Sequence, residues 1–327
     1  MLCYRFRLYP GKQCEAKLVE NLKLCRWLYN KLLELKKKAR EENRCAGKRS
    51  LQAMLVDLKK ENQELQKVHS KVLQMVNNQL HYNIRALAEL KRSGKKVGFL
   101  RFKGEGRYNT LNYNQEGFSI DFEHKKLHLS KIGIIPIKLH RKFNGKVKGI
   151  IIKRTKVGKW FALIQVDEDR VPLLPETKKS VGIDVGIKHL LTDSDGRHIE
   201  NPRYYQITLE RIRVLQKDLS RKRKDSTNRR NSLLKLGKVY EKLVDQRDDL
   251  LHKLSRFYVN NYDIIAVEEL KIRKMIRNRN FAQRILDASW GRFFQMLSYK
   301  AERAGRMLIK EIFEKPPLTP PCAHSKA

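Results

Sequence analysis

Two short apolar segments of this chain each carry a carboxylate at or near their C-terminal end. Asp184 lies within residues 181–186 (Val-Gly-Ile-Asp-Val-Gly), and Glu268 closes residues 263–268 (Asp-Ile-Ile-Ala-Val-Glu). Both segments are typical of buried strands, and neighbouring strands of one sheet would bring the two carboxylates together. Carboxylate oxygens suit Mg²⁺ and Mn²⁺, and two such ions about 3.5–4 Å apart hydrolyse phosphodiester bonds. The two segments therefore predict a metal site that acts on nucleic acid.

Glycines flank the first of these carboxylates and leave two other interpretations open. Gly182 and Gly186 leave room for a metal ion or a close backbone beside Asp184. Actin-like ATPases and sugar kinases use a similar Gly-x-Asp-x-Gly strand to approach a phosphate, and Asp184 could also be a structural residue of a tight turn. A two-metal site usually needs a third carboxylate, and no obvious third one follows.

The chain carries a large excess of positive charge. Lys and Arg total 72 against 35 Asp and Glu, which gives a formal net charge of +37. Such an excess opposes compact folding unless a polyanion neutralises it, and nucleic acid is the natural partner. A membrane surface is the alternative, but the sequence has no lipidation signal and no apolar run of about 18 residues. Without a signal peptide or a disulfide framework, we expect a cytoplasmic protein without a membrane partner.

The first half of the chain predicts a small β-barrel or sandwich that is interrupted by helices. Residues 3–9 alternate as a strand does, and a helix follows Pro10 and Gly11. Apolar residues at helical spacing then predict a second long helical stretch over about 50–90, with Ser50 as its N-cap. Short apolar segments between glycine-rich turns predict further strands. These strands are expected at residues 99–103, 110–113, 118–120, 126–129, 147–152 and 160–166.

Aromatic and basic residues interleave near the start of this strand-rich region. Phe99, Arg101, Phe102, Lys103 and Tyr108 supply ring surfaces for stacking and positive charge for phosphate. A surface that binds single-stranded nucleic acid needs both. A barrel strand with one core face and one solvated face would give the same pattern, so both interpretations stay open. We predict Arg101 and Lys103 as nucleic-acid contacts.

The second half of the chain predicts an α/β domain after a linker at residues 172–179. The Asp184 segment, residues 190–192 and residues 198–199 predict a three-stranded meander of the kind that opens the RNase H architecture. Two long helices follow, and six of the ten residues at 221–230 between them are cationic. A solvated turn is the alternative, but so dense a group favours contact with phosphate. The contacts expected here are Arg221, Arg223, Lys224, Arg229 and Arg230.

Motifs spread over nearly the whole chain resemble those of one family. Residues 6–10 (Phe-Arg-Leu-Tyr-Pro) and 25–30 (Cys-Arg-Trp-Leu-Tyr-Asn) resemble its N-terminal signature. Residues 182–188 (Gly-Ile-Asp-Val-Gly-Ile-Lys) and 267–270 (Val-Glu-Glu-Leu) resemble its first and second RuvC motifs. The chain is thus similar to the TnpB family, the OrfB-type proteins of single-strand transposons, which are relatives of type V CRISPR effectors. Further resemblances lie at residues 221–230, 246–248, 252–255, 288–291 and 299–301.

The resemblance implies a fold of the α/β class plus a β-barrel. It implies an RNase H-like (RuvC) domain with a helical insertion, preceded by a small β-barrel wedge domain that contains an inserted helical recognition domain. The expected bounds are 1–10 and 94–172 for the wedge, 11–93 for the recognition helices, 173–315 for the RuvC domain with its insertion at 205–260, and 316–327 for a truncated start of a zinc ribbon.

The resemblance also implies an activity and its partners. Members of this kind use a guide RNA from the transposon end to cleave target DNA next to a short motif, so that base pairing reads the sequence. Asp184 and Glu268 would be the first and second carboxylates that bind Mg²⁺ or Mn²⁺. The N-terminal signature would contribute Arg26, Tyr29 and Asn30 to nucleic-acid binding. The oligomeric state is left open.

The last residues depart from the family pattern. Residues 319–324 resemble the approach to the family's zinc ribbon, with Cys322 as a vestigial first ligand, but Ser325 stands where a second cysteine is expected. One cysteine cannot build a four-coordinate structural site, so we expect no bound Zn²⁺. The family segment that bears the third carboxylate is also missing. The remaining acids are Asp287, Glu302, Glu311 and Glu314, of which Glu314 is the first choice as a substitute.

These departures predict weak or absent cleavage and suggest a truncated or frameshifted gene. The first hypothesis is a protein that is ancestrally an RNA-guided DNA endonuclease. The alternatives are a nuclease-dead RNA- or DNA-binding repressor and a non-functional remnant of a transposase gene. Because Asp184 and Glu268 are both retained, a recent loss is favoured over long selection as a binder. Binding should survive better than cleavage.

Overall fold

The structure is a computed structural model that describes residues 2–44, 46–168 and 173–311. The chain folds as two compact units that divide between residues 169 and 170. Each unit has its own hydrophobic core. They are called the N-terminal unit and the C-terminal unit. The predicted zinc-ribbon start at 316–327, with Cys322, lies outside the described residues, as does Glu314.

The described strands of the N-terminal unit are β1 (Leu2–Leu8), β2 (Thr110–Asn114), β3 (Phe118–Asp121), β4 (Lys126–Leu129), β5 (Gly133–Lys138), β6 (Lys146–Arg154) and β7 (Trp160–Asp167). They form one nearly closed, barrel-like sheet in the order β2-β6-β7-β1-β5-β4-β3, and every pairing is antiparallel. Side chains alternate between the two faces of each strand, and one face forms the core. On β7 the buried side chains are those of Trp160, Ala162, Ile164 and Val166. The sheet confirms the predicted barrel-like half.

The strands of this unit depart from the predictions at two places. The predictions contain no strand at β5, which forms although it contains Pro136, a residue typical of a break. The proline is tolerated since β1 pairs with β5 only at Ile137 and Lys138. Conversely, the strand predicted at 99–103 is absent. The backbone N–H and C=O of Lys103 bond to the side chain of Asn30 instead of to a neighbouring strand.

Helices α1 (Lys12–Glu41), α2 (Lys48–Ala53), α3 (Leu55–Glu61) and α4 (Ser70–Arg92) complete the N-terminal unit. The stretch predicted over about 50–90 is helical, but it divides into α2, α3 and α4. Asn62 is extended and its side chain accepts a bond from the Glu64 amide, which starts a short 3-10 helix at Gln63–Lys67. Asn62 thus acts as an N-cap inside the apolar stripe. Ser50 is not a cap either, since Gly47 precedes α2.

The helices and the sheet of this unit share one hydrophobic core. Leu28 of α1 and Val76 of α4 belong to the same buried cluster as Tyr113 and Trp160 of the sheet. The Trp160 indole N–H also donates to the carboxylate of Glu15 on α1, at 3.1 Å. The division into a wedge and a recognition domain stays a prediction.

The described strands of the C-terminal unit are β8 (Ser180–Val185), β9 (His189–Asp193), β10 (His198–Glu200), β11 (Ile264–Glu268) and β12 (Met307–Glu311). They form one sheet in the order β10-β9-β8-β11-β12. Strands β8, β9 and β10 pair antiparallel, whereas β11 pairs parallel with both β8 and β12. The predicted meander and the predicted Glu268 strand are confirmed.

Helices α5 (Tyr204–Ser220), α6 (Thr227–Asn261), α7 (Ile272–Met275), α8 (Arg279–Ala288) and α9 (Trp290–Ala304) accompany this sheet. One face of the sheet is buried: Ile183 and Val267 pack in a cluster with Tyr258 of α6 and Phe293 of α9. The opposite face is open, since Ile264 is 40% and Met307 is 60% exposed. Side chains alternate along a strand, so Asp184 and Glu268 lie on the open face.

Hydropathy of the helices bears on the membrane alternative. Within the described residues, no helix combines the length and the apolar character that crossing a lipid bilayer requires.

Candidate metal site and nucleic-acid interface

Asp184 and Glu268 lie side by side on adjacent parallel strands. The register pairs Val267 of β11 with Ile183 of β8, and the next residues along the two strands are Glu268 and Asp184. Adjacent strands are about 4.8 Å apart, so carboxylates at one level can reach a common cation. The buried, alternating residues around them position both strands in the middle of the sheet.

Both carboxylates are available to a ligand. Asp184 is exposed and Glu268 is half-buried, and neither carboxylate has a hydrogen bond or an ion pair with any residue that the structure describes. The loop after Asp184 is tight, because a Cβ atom at Gly186 would lie 3.0 Å from the His189 carbonyl oxygen. The Gly182 amide donates to the Ser194 hydroxyl at 3.1 Å, and the Ser194 amide donates to the Gly182 carbonyl oxygen at 2.9 Å. The glycines thus fix the backbone around Asp184.

Asp184 and Glu268 belong to a row of polar side chains across the open face, which we call the polar row. Thr192 of β9 is the register partner of Asp184, and His198 of β10 is the partner of Thr192. Glu311 of β12 is the register partner of Glu268. Register partners point to the same face of a sheet. The polar row therefore consists of His198, Thr192, Asp184, Glu268 and Glu311.

The place of Glu311 was not predicted from the sequence. Glu311 was considered among four acids, but its position beside Glu268 depends on the register of β12. Of the other acids, Asp287 accepts hydrogen bonds from the Arg247 side chain, and Glu302 lies exposed on α9. In the described parts of the chain, no group of three or more His, Cys, Asp or Glu side chains is arranged to hold a metal ion. The described candidate site is thus a carboxylate pair with Glu311 as its neighbour.

The cationic residues 221–230, which we call the cationic turn, cover the connection between α5 and α6 and the first residues of α6, and their side chains divide into two groups. Arg229 donates to the carbonyl oxygens of Leu219 and Lys222, at 2.7 and 3.3 Å, and so closes the end of α5. Ser226 caps α6 by accepting a bond from the Arg229 amide. The four other predicted contacts are exposed; they are Arg221, Arg223, Lys224 and Arg230.

A second group of predicted contacts lies where α1 meets residues 97–109, which we call the aromatic segment. The Asn30 side chain donates to the Lys103 carbonyl oxygen at 3.1 Å and accepts from the Lys103 amide at 2.8 Å. The Lys103 ammonium lies 4.3 Å from the Tyr29 ring centre and 4.7 Å from that of Tyr108. Burial lowers the pKa of the Lys103 amine. Asn30 and Tyr29 thus anchor the aromatic segment to α1.

Tyr29 does not present its ring to solvent. It is 1% exposed, and its hydroxyl accepts a bond from the Asn83 side chain. The open ring surfaces are those of Phe99 and Phe102, which are 76% and 50% exposed. The Arg40 guanidinium lies 4.7 Å from the Phe99 ring centre.

Cations from α1 therefore accompany both exposed rings. The Lys37 ammonium lies 4.3 Å from the ring centre of Phe102. Arg101 is exposed between the two phenylalanines, and Arg26 is half-buried on α1. Exposed rings with cations at their faces offer stacking and phosphate contact together.

Two family profiles match this chain. Residues 163–279 match the OrfB_IS605 family, described as a probable transposase, and this range contains both Asp184 and Glu268. Residues 1–45 match the helix-turn-helix domain described for the same family. In the part of that range that the structure describes, strand β1 is followed by the single helix α1.

Curated relatives match along most of the chain. A protein of Streptomyces pristinaespiralis named "Putative RNA-guided DNA endonuclease" is 30% identical over 314 residues, which cover 94% of this chain and 76% of that protein. "Putative RNA-guided DNA endonuclease InsQ" of Escherichia coli K12 is 29% identical over 328 residues, covering 93% and 79% of the two chains.

A solved structure has a similar fold. The chain in the cryo-EM structure of the Cas12f1–sgRNA–target DNA complex aligns with a TM-score of 0.53 and 12% sequence identity. The alignment covers 92% of this chain and 73% of that one. At this identity the similarity concerns the fold alone.

Proposed function

The chain belongs to the OrfB/TnpB family of probable transposases, and we propose that it is an RNA-guided DNA-binding protein with a metal-dependent nuclease site at Asp184 and Glu268. The observation that carries this proposal is the pair of unpartnered carboxylates side by side on the open face of the C-terminal sheet. The curated relatives are named RNA-guided DNA endonucleases. A net charge of +37 suits a protein that binds two nucleic acids.

The C-terminal unit would be an RNase H-like (RuvC) domain. Three antiparallel strands followed by two parallel ones, in the order β10-β9-β8-β11-β12, support this assignment. The long α5–α6 pair between β10 and β11 would be the helical insertion. In this arrangement β8 and β11, the first and fourth strands of the unit along the chain, are neighbours in the sheet. This topology brings Asp184 and Glu268 together.

The residues at this site fit a hard divalent cation. Both ligands offer carboxylate oxygen, and no described cation neutralises either one, although Lys and Arg outnumber acids two to one in the chain. Asp184 and Glu268 would hold Mg²⁺ or Mn²⁺. When bound, such ions activate water and stabilise the leaving oxygen of a phosphodiester.

The predicted nucleic-acid contacts take two roles in the proposal. Arg26 and Arg101, with the exposed side chains of the cationic turn, would bind phosphate directly. Tyr29 and Asn30 would act indirectly, because they hold the aromatic segment and Lys103 in place. Arg229 would likewise act by shaping the turn.

A cleavage-impaired form of the same protein is the second candidate function. The absence of a three-ligand group among the described residues favours it, since two carboxylates hold two ions poorly. Glu311 is the described acid closest in register to the pair, and its carboxylate is exposed. We therefore expect nucleic-acid binding to be retained more strongly than cleavage.

One experiment separates these functions. The chain is purified with RNA transcribed from its own locus and offered matched duplex DNA with Mg²⁺ or Mn²⁺. Binding and cleavage are measured for the wild type, for Asp184→Ala and for Glu311→Gln. Cleavage that Asp184→Ala abolishes, with binding intact, supports the nuclease. Binding without cleavage in the wild type supports the impaired form.

Two outcomes of that experiment are decisive against the proposal. RNA that leaves DNA binding unchanged contradicts guided recognition. Cleavage that survives Asp184→Ala contradicts the assigned metal site. The Glu311→Gln variant has a narrower purpose, because cleavage that falls in this variant as well as in Asp184→Ala assigns Glu311 a role beside the pair.

A further inference from the structure

A cleft opens between α5 and α8 within the C-terminal unit. Its volume is about 340 Å³, and it is formed by residues 201–203 before α5, the first turns of α5, residues 283–287 of α8 and the loop that leaves β8. Small-molecule sites have volumes of roughly 300–1,000 Å³, so the cleft has room for one small polar ligand. None of the predicted contacts lines it.

Hydrogen bonds fix the walls of this cleft. Asp287 of α8 accepts from the Tyr205 amide at the start of α5, with both carboxylate oxygens at 3.1 Å. The Arg247 side chain of α6 bonds to the same carboxylate, which neutralises its charge. Asn201 donates to the Ile187 carbonyl oxygen at 3.1 Å and holds the loop that leaves β8. The cleft is therefore held open by its own framework and is not acidic.

The remaining polar groups of the lining are free to bind a ligand. Arg203, Gln206, Gln283 and Arg284 line the cleft and are exposed. None of their side chains bonds to another residue in the part of the chain that the structure describes. Arg203 also has a φ of 46°, in the left-handed region that side-chain-bearing residues disfavour. Its amide donates to the Asn201 side chain, which holds this conformation.

This set of groups matches the parts of a nucleotide. Two guanidinium groups, Arg203 and Arg284, suit the oxygens of a phosphate. Two carboxamides, Gln206 and Gln283, can donate to and accept from the edge of a base. The apolar lining from Ile187 and Leu209 offers contact to the base or the sugar. Once Asp287 is paired with Arg247, the free charge in the cleft is positive.

The cleft also lies at the end of the sheet that carries the carboxylate pair. Ile187 belongs to the loop that directly follows Asp184 and Gly186, at the C-terminal end of β8. Ligands of sheets with parallel strands bind outside the carboxyl ends of those strands. We propose that this cleft binds one nucleotide of a nucleic-acid strand. That the strand is the one presented to Asp184 and Glu268 rests on the proposed function.

Photolabelling of the full chain tests the site. The probe is 8-azidoadenosine 5′-monophosphate, and the labelled residues are mapped by peptide mass spectrometry. We expect labelling within residues 204–209 or 283–287, and protection by dAMP. Comparison of AMP with dAMP as protectants tells whether an RNA or a DNA nucleotide is preferred. Adenosine alone and inorganic phosphate alone should protect less than either nucleotide.

Substitutions then test the assigned groups. Arg203→Gln and Arg284→Gln should each raise the dAMP concentration for half protection by about tenfold, the scale of one lost charge-assisted hydrogen bond. The matched control is Arg211→Gln, since Arg211 is exposed on α5 and does not line the cleft. It removes the same charge and should leave protection unchanged. Circular dichroism of each variant verifies that the fold is retained.

Three results would overturn the inference. Labelling outside the residues that line the cleft places nucleotide binding elsewhere. Equal protection by inorganic phosphate reduces the cleft to a simple anion site. An equal loss in Arg211→Gln assigns the effect to overall charge. Guided DNA binding is measured separately in each variant, so failure of the cleft and failure of the proposed function give different results.

Discussion

The aromatic segment of the N-terminal unit and the polar row of the C-terminal unit differ in whether their charged side chains have bonding partners. In the aromatic segment, Lys103 is enclosed by tyrosine rings and its backbone is bonded to Asn30. In the polar row, Asp184 and Glu268 have no described partner although the chain is rich in cations. A charged group with bonding partners stabilises the fold. A carboxylate without a partner in a basic protein is instead available to bind a cation.

A contrast between two aspartates gives the largest expected effect. Asp193 is buried and accepts bonds from the Tyr258 hydroxyl and from the amides of Asp195 and Arg197. We expect Asp193→Ala to lower the free energy of unfolding by about 2–4 kcal/mol, because it leaves these donors unsatisfied. Asp184→Ala should change it by less than about 0.5 kcal/mol. Urea unfolding monitored by circular dichroism measures both.

The same two variants should also differ in their response to metal, and here Asp184→Ala should show the larger change. Mn²⁺ should raise the thermal midpoint of the wild type and of a folded Asp193 variant, and it should not raise that of Asp184→Ala. If Asp184→Ala proves as destabilising as Asp193→Ala, then Asp184 is a structural residue and the contrast between the two regions fails.

The open rings of the aromatic segment give the next effect. Phe99→Ala with Phe102→Ala should weaken binding of single-stranded nucleic acid, since one lost base-stacking contact costs about 1–3 kcal/mol. Fluorescence anisotropy with a labelled single strand measures the change. The matched control is Phe122→Ala, because Phe122 is 55% exposed but lies between the acids Asp121 and Glu123. Equal losses in both variants would remove the stacking role.

Removing the Asn30 side chain, which anchors the aromatic segment to α1, should have a smaller effect on the free energy of unfolding. Asn30→Ala deletes two hydrogen bonds to the Lys103 backbone and should cost about 1–2 kcal/mol. Amide hydrogen exchange should increase within residues 97–109. Lys23→Ala, exposed on the same helix, is the control and should leave exchange unchanged. Unchanged exchange in Asn30→Ala would show that the rings alone hold the segment.

The smallest expected effect is a pH dependence. Burial lowers the pKa of Lys103 below its usual value of 10.5, so the folded state releases this proton at a lower pH than the unfolded state does. Stability should therefore rise slightly as the pH climbs through the lowered pKa towards 10.5. Lys103→Met should lack this increment, which urea unfolding between neutral pH and pH 10.5 measures by difference. An identical slope in both proteins would contradict the burial of the charge.

Much of the fold could be predicted from local patterns. Alternation predicted β1, and short apolar segments predicted β7 and the strands of Asp184 and Glu268, each of which has one buried face in the final sheet. Prediction failed where a tertiary bond competed with the pattern. The 99–103 segment has the residue pattern of a strand, but the backbone N–H and C=O of Lys103 bond to the Asn30 side chain and not to a neighbouring strand. Strand β5 forms in spite of Pro136, since its neighbours supply the pairing.

The candidate site divides in the same way. The type and strand position of Asp184 and Glu268 are evident from the sequence, and so is the cationic turn. The engagement of Arg229 with the end of α5 is not evident, because its partners are backbone carbonyls. The cleft with Arg203 and Arg284 was missed altogether, since Arg203 precedes α5 and Arg284 lies on α8, and no local pattern encodes how these two elements pack.

The sequence by itself determined the charge of this protein, the strands that carry its carboxylates and the motifs of its family. These depend on residue type and on spacing within a few residues, which backbone geometry turns directly into strands and helices. The tertiary structure decided which side chains remain free. It set Glu311 beside Glu268 through the register of β12 and enclosed Tyr29 under Lys103. Such pairings join residues far apart in the chain, so they follow only from how the whole unit packs.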